Sequence, residues 1–560
     1  RRKMAASMES NKLSDGVVKN VCEKWEITEL RPHQELALVS VLKKKDCLIC
    51  VPTGSGKSLC YESIAYVHRH ELGSDHDWKE KSPIVLVISP LVQLIQSQVT
   101  SISKREEEAV ALGSSLDRQK LQQGYYSYLF GSPENFLQDK AIWDMLKTST
   151  YKERVVALVF DEVHTAVSWG LSAEGKPAFR KFFSEVSDIR ALFPAVPMLA
   201  LTATASQKTQ EKVREILALK DPVVFSESPD RSNIRMCVSS VSRGPDCLNW
   251  LVEEIQESIC PQTIIYCRRI RDCSEVYMHF LEALGQPEDV AERQFDMVHS
   301  KTPQAVKDRV VKDLTTEGSS LRVVIATKVI GMGIDVRCDQ IVHYGPPQTT
   351  DDYLQQIGRA GRSGSQTHAV LLYNGHQLRS VEPSMLKALK SNEECFRKLV
   401  LEDFGGISKQ VTPSHLCCSF CASQCQCGSC DMARNGFERF GVGEDTAADV
   451  SKFVRHIDGE SQRNLKMALH ELKSGLDKEI LLNHAAYVRP EIIHGLTSDV
   501  ITSVVENAKC IFSVDDLIEL CDVMQYSTAC QVVQIFSEVF GDMDLDLGSG
   551  LDLELGDYAA

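Results

Sequence analysis

A glycine-rich segment near the N-terminus constrains the fold of this chain more than any other feature. It follows an apolar run, residues 47–51, that predicts a buried strand, and it precedes helical apolar spacing in residues 59–68. A strand, a glycine loop and a helix in this order form a phosphate-binding loop, because backbone N–H groups and the helix N-terminus face the anion. A glycine turn without this role is disfavoured by both flanking elements. The predicted phosphate-binding residues are Thr53, Gly54, Ser55, Gly56, Lys57 and Ser58.

This loop predicts a nucleotide-binding α/β fold. Lys57 is expected to contact the β- and γ-phosphates, and the Ser58 hydroxyl is expected to ligate Mg²⁺. About twenty residues earlier, the Gln34 amide is placed to recognise the adenine edge with its donor and acceptor, which would select ATP, and Arg31 lies beside it. An ordinary helix start after Pro32 remains the alternative for this segment.

An acidic pair supplies the second half of the predicted chemistry. The apolar residues 155–160 predict a strand that leads directly into Asp161-Glu162-Val163-His164. Asp161 is expected to hold Mg²⁺, directly or through water, and Glu162 is expected to orient and deprotonate the attacking water. A surface turn would contain the same residue types, but the upstream phosphate loop favours a nucleotide-hydrolysing site.

Length and composition limit the classes of protein to which this chain can belong. The chain has 560 residues, and a single core rarely exceeds about 300 residues, so several domains are expected. No apolar run approaches the ~20 residues needed to cross a bilayer, so no membrane association is expected. The N-terminus lacks the apolar core of a signal peptide, and because it does not begin with Met we expect a fragment or a processed end. A net charge of −15 argues only mildly against nucleic acid, because a binding groove can be locally basic.

The ordered motifs resemble those of superfamily 2 helicases, and within them the RecQ family. RecQ proteins usually carry Ala where this acidic box carries Val163. The resemblance implies that the hydroxyls of Thr202 and Thr204 link the acidic box to DNA. It also implies that residues 327–335 approach nucleotide and DNA, with Thr327 on DNA and Gly333 and Asp335 at the nucleotide.

Other candidate DNA contacts come from strand ends and from an aromatic segment. Ser89 with Pro90, and Ser132, follow apolar strands, where ligands of open α/β sheets gather. The segment with Trp169, Phe179 and Arg180 resembles the RecQ aromatic-rich loop, although eight residues separate its two halves, more than is usual in the family. Bases stack on aromatic side chains at about 1–3 kcal/mol each. The alternative is that the neighbouring aromatic residues belong to the core.

A second arginine-containing motif is predicted to complete the ATP site. Residues 355–362 resemble helicase motif VI, and if they are helical, Arg359 and Arg362 share a face. Two guanidinium groups can then reach one γ-phosphate, a contact worth about 10³–10⁵ in rate. Ser363 follows where RecQ proteins usually have Asp. A solvated basic helix is the alternative.

A cluster of cysteines near the end of the helicase-like region is a candidate metal site. The chain has 20 of them, and six fall between Cys417 and Cys430, a pattern that favours metal over disulfides in a chain without a secretion signal. The cluster resembles the RecQ zinc-binding module, and we expect one structural zinc ion on Cys395, Cys418, Cys421 and Cys425. The remaining ligands leave a second site open; these are His415, Cys417, Cys427 and Cys430.

The C-terminal region departs from the family. Residues 445–540 carry helical apolar spacing and no alternating strand pair, so a RecQ winged-helix domain with its strand-separating hairpin is not expected. The tail, residues 541–560, alternates acidic and apolar residues and is expected to be disordered. Either segment is a candidate protein-binding region, and simple packing or solvation is the alternative.

Together these features predict an α/β protein with two RecA-like parallel-sheet lobes, a zinc module and an all-α C-terminal region. The predicted domains are an N-terminal extension, lobe 1, lobe 2, the zinc module, the helical region and the tail, at residues 1–25, 26–225, 226–380, 381–435, 445–540 and 541–560. The resemblance implies an ATP-, Mg²⁺- and Zn²⁺-dependent DNA helicase that moves 3′ to 5′ on single-stranded and forked DNA. An RNA helicase, or a translocase or scaffold without strand separation, remains the alternative. The resemblance also implies a nuclear location, with the cytoplasm open.

Overall fold

The computed structural model describes residues 12–72, 82–89, 92–113, 117–164, 187–242, 244–285, 287, 289–316, 318–327, 338–362, 364–391, 393–407, 409–428, 455, 457–483, 490–512, 514–521, 523 and 526–541. Most of the tail, most of a predicted helix at 450–457, and Cys430 lie outside these ranges. The same holds for six predicted site residues, which are Pro90, Trp169, Phe179, Arg180, Gly333 and Asp335. The chain forms two compact units, one mainly before residue 448 and one mainly after residue 447.

The first unit begins with a seven-stranded parallel sheet in the order β3-β4-β2-β5-β6-β1-β7. The central strands are short apolar runs buried on both faces, as expected where crossover helices cover a parallel sheet. The strands are β1 (Cys47–Cys50), β2 (Ile84–Ile88), β3 (Ala109–Ala111), β4 (Tyr128–Gly131), β5 (Val155–Phe160), β6 (Met198–Thr202) and β7 (Val223–Ser226).

Helices pack against both faces of this sheet and form two separate hydrophobic clusters with it. They are Asp15–Lys24, Pro32–Leu42, Leu59–Glu62, Ile64–Leu72, Val92–Ser103, Arg118–Gln122, Pro133–Leu137, Lys140–Leu146, Ser149–Arg154, Ser187–Leu192 and Gln207–Ile216.

A second parallel sheet has six strands in the order β10-β11-β9-β12-β13-β8. The chain enters it after β7, and β8 pairs with the last strand of the sheet. Its strands are β8 (Ile234–Ser240), β9 (Thr263–Cys267), β10 (Phe295–Val298), β11 (Val323–Ala326), β12 (Gln340–Tyr344) and β13 (Thr367–Tyr373). The helices between them are Asn249–Gln256, Ile270–Leu284, Gln304–Thr315 and Thr350–Ile357. The two sheets confirm the expectation of two RecA-like lobes.

A small segment with little regular structure follows the second sheet. Helices Pro383–Lys390, Phe396–Leu401 and Ser419–Ser423 contain most of its regular backbone. One hydrophobic cluster of the second sheet extends through Phe396 and Phe404 to the cysteines at 417 and 418. The Cys418 backbone also forms a parallel bridge with Met236 of β8. This segment is therefore packed on the second lobe.

The second unit is a helical bundle, as predicted for this region. Its α-helices are Gly459–Asn483, Pro490–His494, Ser498–Asn507, Val514–Cys521 and Tyr526–Phe540. Their apolar faces form a separate core, and the part of this unit that the structure describes contains no strand. The buried Arg455 guanidinium lies 4.5, 5.2 and 4.2 Å from the ring centroids of Phe512, Phe536 and Phe540. Across the described helices of the chain, none combines the length and apolar character needed to cross a bilayer.

Candidate active site

The predicted phosphate loop lies between β1 and the helix Leu59–Glu62. Two of its residues adopt positive φ, +84° at Gly54 and +76° at Gly56, a backbone conformation that glycine adopts without steric cost. The Lys57 ammonium donates to the carbonyl oxygens of Val51 at 3.3 Å and Pro52 at 3.5 Å. Its charge is thus held within the loop, at the end of a buried strand, where a phosphate is expected to bind.

The helix Pro32–Leu42 fixes the loop from one side. Gln34 is 4% exposed, accepts a hydrogen bond from the Arg31 N–H at 2.8 Å and donates to the Gly56 carbonyl at 2.9 Å. The Arg31 guanidinium donates to the Gly54 carbonyl at 3.4 Å. A Cβ on Gly56 would lie 2.7 Å from the Gln34 amide nitrogen, so glycine is required there. Both ends of the Gln34 amide therefore contact protein in this structure, and its role at adenine stays a prediction.

The acidic pair follows β5, next to the loop. Asp161 is 4% exposed. Burial raises the pKa of this carboxyl to about 6, with a further contribution from the neighbouring Glu162 charge. The positive charge of Lys57 acts in the opposite direction and lowers the pKa of Asp161. Glu162 has φ of +50°, a strained conformation for a side-chain-bearing residue that is typical of functional sites.

Two residues that the sequence did not single out orient Asp161. The Gln98 amide nitrogen donates to Asp161 Oδ2 at 3.2 Å and to the Tyr61 hydroxyl oxygen at 2.5 Å. The Tyr61 hydroxyl donates to the same Oδ2 at 3.3 Å, while Oδ1 accepts from the Glu162 N–H at 2.9 Å. The carboxylate is therefore held by three donors from three segments of the chain.

Replacing Gln98 with leucine is expected to raise the Mg²⁺ concentration needed for half-maximal ATP hydrolysis by about 10–100-fold, the usual effect of losing a residue that orients a metal ligand. Leucine fills a similar volume but donates no hydrogen bond to Asp161. The matched control is Gln96→Leu, on the exposed face of the same helix. A Mg²⁺ dependence of Gln98→Leu equal to that of the control would contradict this role.

The acidic box also contacts the second lobe through His164. The ring Nδ1 lies 3.1 Å from the Thr202 hydroxyl and 3.4 Å from Glu162 Oε2. The ring Nε2 lies 3.2 Å from the amide nitrogen of Gln355, in the helix Thr350–Ile357. A second link joins the same helix to the first lobe, because the Ser206 N–H donates to Asp351 at 2.9 Å. Thr202 at the end of β6 and Gln355 of the predicted motif VI therefore both contact His164 of the acidic box.

The arginine motif has a different backbone from the one predicted. The helix ends at Ile357, and Ala360 forms a bridge with Cys338, so Arg359 and Arg362 do not share a helical face. The physical reason is Gly361, which has φ of +64° and accepts a hydrogen bond from the Asn233 side chain at 2.9 Å. The positive charges of both arginines nevertheless lower the pKa of Tyr266, against a larger rise caused by burial. The structure thus brings the two arginines together by a turn.

Arg231 is a functional candidate that no sequence motif indicated. Its guanidinium donates to the Thr53 carbonyl of the phosphate loop at 2.8 Å and to the Ala360 carbonyl at 3.3 Å. Its charge also contributes, after burial, to lowering the pKa of Arg362. Arg231 therefore connects the phosphate loop with the arginine turn.

The predicted DNA-contact residues within the described ranges are mostly buried. Ser89 and Thr202 are 0% exposed, and the hydroxyls of Ser132 and Thr202 contact protein groups. Thr204 is also buried, and the Thr327 N–H donates to the Val298 carbonyl at 3.3 Å. Their contacts with DNA stay predictions, and any direct side-chain contact requires these hydroxyls to become accessible.

Seven potential metal ligands form two groups in the small segment after the second sheet. In each group the ligand atoms lie within 4.8 Å of one another. The first group comprises Cys395, Cys417, Cys418 and Cys421, and the second comprises His415, Cys425 and Cys427. The predicted set with Cys425 as fourth ligand is therefore wrong in that member. Cys425 comes after the helix Ser419–Ser423 has ended, where its sulfur lies 3.6 Å from His415 Nδ1, and Cys417 takes the predicted place.

The geometry of the first group fits a tetrahedral zinc ion. The Cys395 sulfur lies 3.7 Å from both the Cys417 and Cys418 sulfurs. Two thiolates at about 2.3 Å from a tetrahedral zinc ion are separated by about 3.8 Å. Hydrogen bonds from the Cys395 and Cys417 thiols lower the pKa of Cys418.

Comparison with known protein families agrees with this architecture. Residues 31–213 match the DEAD/DEAH box helicase family, and residues 246–364 match the helicase conserved C-terminal domain. The first match contains six strands of the first sheet, the phosphate loop and the acidic box, and the second contains four strands of the second sheet and the arginine turn.

Comparison with individual proteins identifies relatives named as ATP-dependent helicases. The chain is 30% identical over 353 residues to the ATP-dependent DNA helicase RecQ of Synechocystis, an alignment covering 60% of this chain and 66% of the relative. It is 24% identical over 475 residues to the ATP-dependent helicase SGS1 of Saccharomyces cerevisiae, covering 80% of this chain and 30% of the relative. The alignments thus leave a third or more of these relatives unmatched. A DUF1998 helicase, MrfA, bound to DNA and AMPPNP has a similar fold, with a TM-score of 0.52 at 16% identity, covering 80% of this chain and 61% of MrfA.

Proposed function

The chain belongs to the RecQ family of superfamily 2 ATP-dependent DNA helicases, and we propose that it uses ATP hydrolysis to move 3′ to 5′ along single-stranded DNA and to separate forked duplexes. The observation that carries this proposal is the contact network between the lobes. Arg231 joins the phosphate loop to the arginine turn, and His164 joins the acidic box to the helix before that turn. A change at the nucleotide is thereby coupled to the relative position of two sheets.

The residues fit ATP and Mg²⁺ because a buried carboxylate and a loop ammonium lie at one edge of the first sheet, and Arg231 links the phosphate loop to the turn that carries two further arginines. When bound at these residues, Mg²⁺ would neutralise phosphate charge. Lys57 would hold the phosphates, and Ser58 and Asp161 would hold the metal. Glu162 would take a proton from the attacking water, while Arg359 and Arg362 would stabilise the charge on the transferred phosphoryl group.

We further propose a structural zinc ion on Cys395, Cys417, Cys418 and Cys421. The 3.7 Å sulfur separations support it, as does the small core of a segment built from short helices. The remaining assignments follow the sequence prediction. They are a zinc module at 381–435, a partner-binding role for the helical region or the tail, and a nuclear location, with the cytoplasm as the alternative.

The deciding experiment is strand displacement from a labelled forked duplex with a single 3′ or 5′ tail. We expect the full chain to displace the strand in an ATP-dependent reaction on the 3′-tailed substrate and to leave the 5′-tailed substrate intact. Lys57→Ala is expected to abolish displacement, because the phosphates lose their main cationic contact. Lys45→Ala, which changes an exposed lysine just before β1, serves as the matched control.

Two results would favour the alternative functions over a DNA helicase. ATP hydrolysis stimulated by DNA without strand displacement would support a translocase or scaffold, which is consistent with the helices-only composition of the described second unit. ATP hydrolysis stimulated more strongly by single-stranded RNA than by DNA would support the RNA helicase alternative.

A further inference from the structure

The second ligand group has distances that suit a metal ion of its own. His415 Nδ1 lies 3.6 Å from the Cys425 sulfur and 3.2 Å from the Cys427 sulfur. In a tetrahedral zinc site, a nitrogen at about 2.05 Å and a sulfur at about 2.3 Å are separated by about 3.6 Å. His415 and Cys425 are buried, while Cys427 is exposed. The three ligand atoms therefore surround a small space at the edge of the segment.

The local chain connects this group to the first one. His415 lies in the turn Ser414–Leu416, which is followed at once by Cys417 of the first group. Cys421 lies within the helix Ser419–Ser423, and Cys425 lies just past its end. One turn and one helix thus lead into ligands of both groups, while the ligand atoms themselves form two distinct sets.

Apolar packing does little to hold this part of the chain. Between residues 419 and 428, only Ala422 and Cys425 are buried. A segment with so little core folds when metal ligation supplies the free energy that apolar burial does not. Two thiols and one imidazole are ligands that zinc prefers.

We propose that His415, Cys425 and Cys427 bind a second zinc ion, separate from the one on the Cys395 group, with the fourth coordination position taken by water or a further ligand. The inference goes beyond the helicase function proposed above and does not depend on it, because none of these three residues takes part in the nucleotide network. The second ion fixes the end of the segment that packs on the second lobe.

The test is a zinc count on the full chain, purified with a thiol reductant and measured by native mass spectrometry and by elemental analysis. We expect two zinc ions per wild-type chain and one per chain of the variant Cys425→Ser/Cys427→Ser. The matched control is Cys22→Ser, which removes a half-buried cysteine from the first helix and should retain two ions. The reciprocal variant, Cys418→Ser/Cys421→Ser, should retain one ion on the second group.

Several outcomes would overturn the proposal. One ion in the wild type that is also present in Cys425→Ser/Cys427→Ser would show that the second group binds no zinc. A Cys425–Cys427 disulfide, detected as a two-proton mass loss without reductant and with one zinc ion bound, would assign the pair to redox chemistry. Loss of both ions from either pair variant would contradict two separate sites.

A second readout keeps the test decisive if a pair variant does not fold. Cobalt-substituted wild-type protein should bind two equivalents of Co²⁺, and His415→Gln should alter the visible absorption of only one of them, because the ligand field of the other contains sulfur alone. Saturation of the wild type at a single equivalent would overturn the proposal.

Discussion

Replacing Arg359 or Arg362 with alanine will lower the kcat of DNA-stimulated ATP hydrolysis by about 10³-fold or more, the usual contribution of an arginine finger. The positive charges of Arg359 and Arg362 both lower the pKa of Tyr266 in β9, against a larger rise caused by burial. Arg231 connects the Ala360 carbonyl between them to the carbonyl of Thr53 in the phosphate loop. Through Arg231, the turn that carries Arg359 and Arg362 is therefore linked to the phosphate loop.

The arginine variants should lower kcat and leave the affinity for nucleotide nearly unchanged. Fluorescent ADP should bind the arginine variants within about threefold of wild type, because these groups act on charge that develops in the transition state. Lys57→Ala should instead weaken nucleotide binding as well. Arg271→Ala is the matched control, since Arg271 is 48% exposed and forms an ion pair with Glu275 in the same helix. Equal kcat losses in the control and in Arg359→Ala would contradict the assignment.

The chemistry-bearing residues were predictable wherever local sequence order determines their place. Parallel strands buried on both faces appear in sequence as continuous apolar runs, so β1, β2, β4 and β5 were found. The short strand β3 (Ala109–Ala111) was not, since three partly buried residues carry no recognisable pattern. Likewise, the apolar run of β10 (Phe295–Val298) is interrupted by Asp296, which forms an ion pair with Arg309.

The missed parts of the site depend on contacts between distant segments. Arg231 lies 178 residues from Thr53 in sequence, and the Gln98 contact with Asp161 spans 63 residues. Neither residue stands in a pattern that marks chemistry. The error at Cys425 is of a different kind, because spacing alone does not show which of several close thiols a helix end directs to which group. Gly361 shows the same limit, since the turn it forms depends on Asn233 from the segment between the lobes.

Replacing Arg397 with methionine will destabilise the first unit by about 3–5 kcal/mol, the cost of leaving one buried charge without its partner. The side chains of Arg397 and Asp230 are both 0% exposed and form an ion pair at 2.6 Å. The same guanidinium donates to the carbonyls of Arg231 at 3.0 Å, of Cys417 at 3.4 Å and of Ile234. Arg397 therefore joins the first cysteine group to the segment that carries Arg231.

Thermal unfolding of the full chain measures this effect, and the transition of the first unit is expected to fall by about 3–5 °C, because that unit has about 440 residues and the shift in Tm per kcal/mol decreases with size. Lys398→Met changes the neighbouring, 67% exposed residue and should leave the transition unchanged. Asp230→Asn/Arg397→Met should recover part of the loss, because no charge is then left buried. Even the recovered double variant should hydrolyse ATP more slowly than wild type, since the carbonyl of Arg231 loses its donor and its guanidinium is no longer fixed between the phosphate loop and the arginine turn. Wild-type ATPase in that variant would show that the contact serves stability alone.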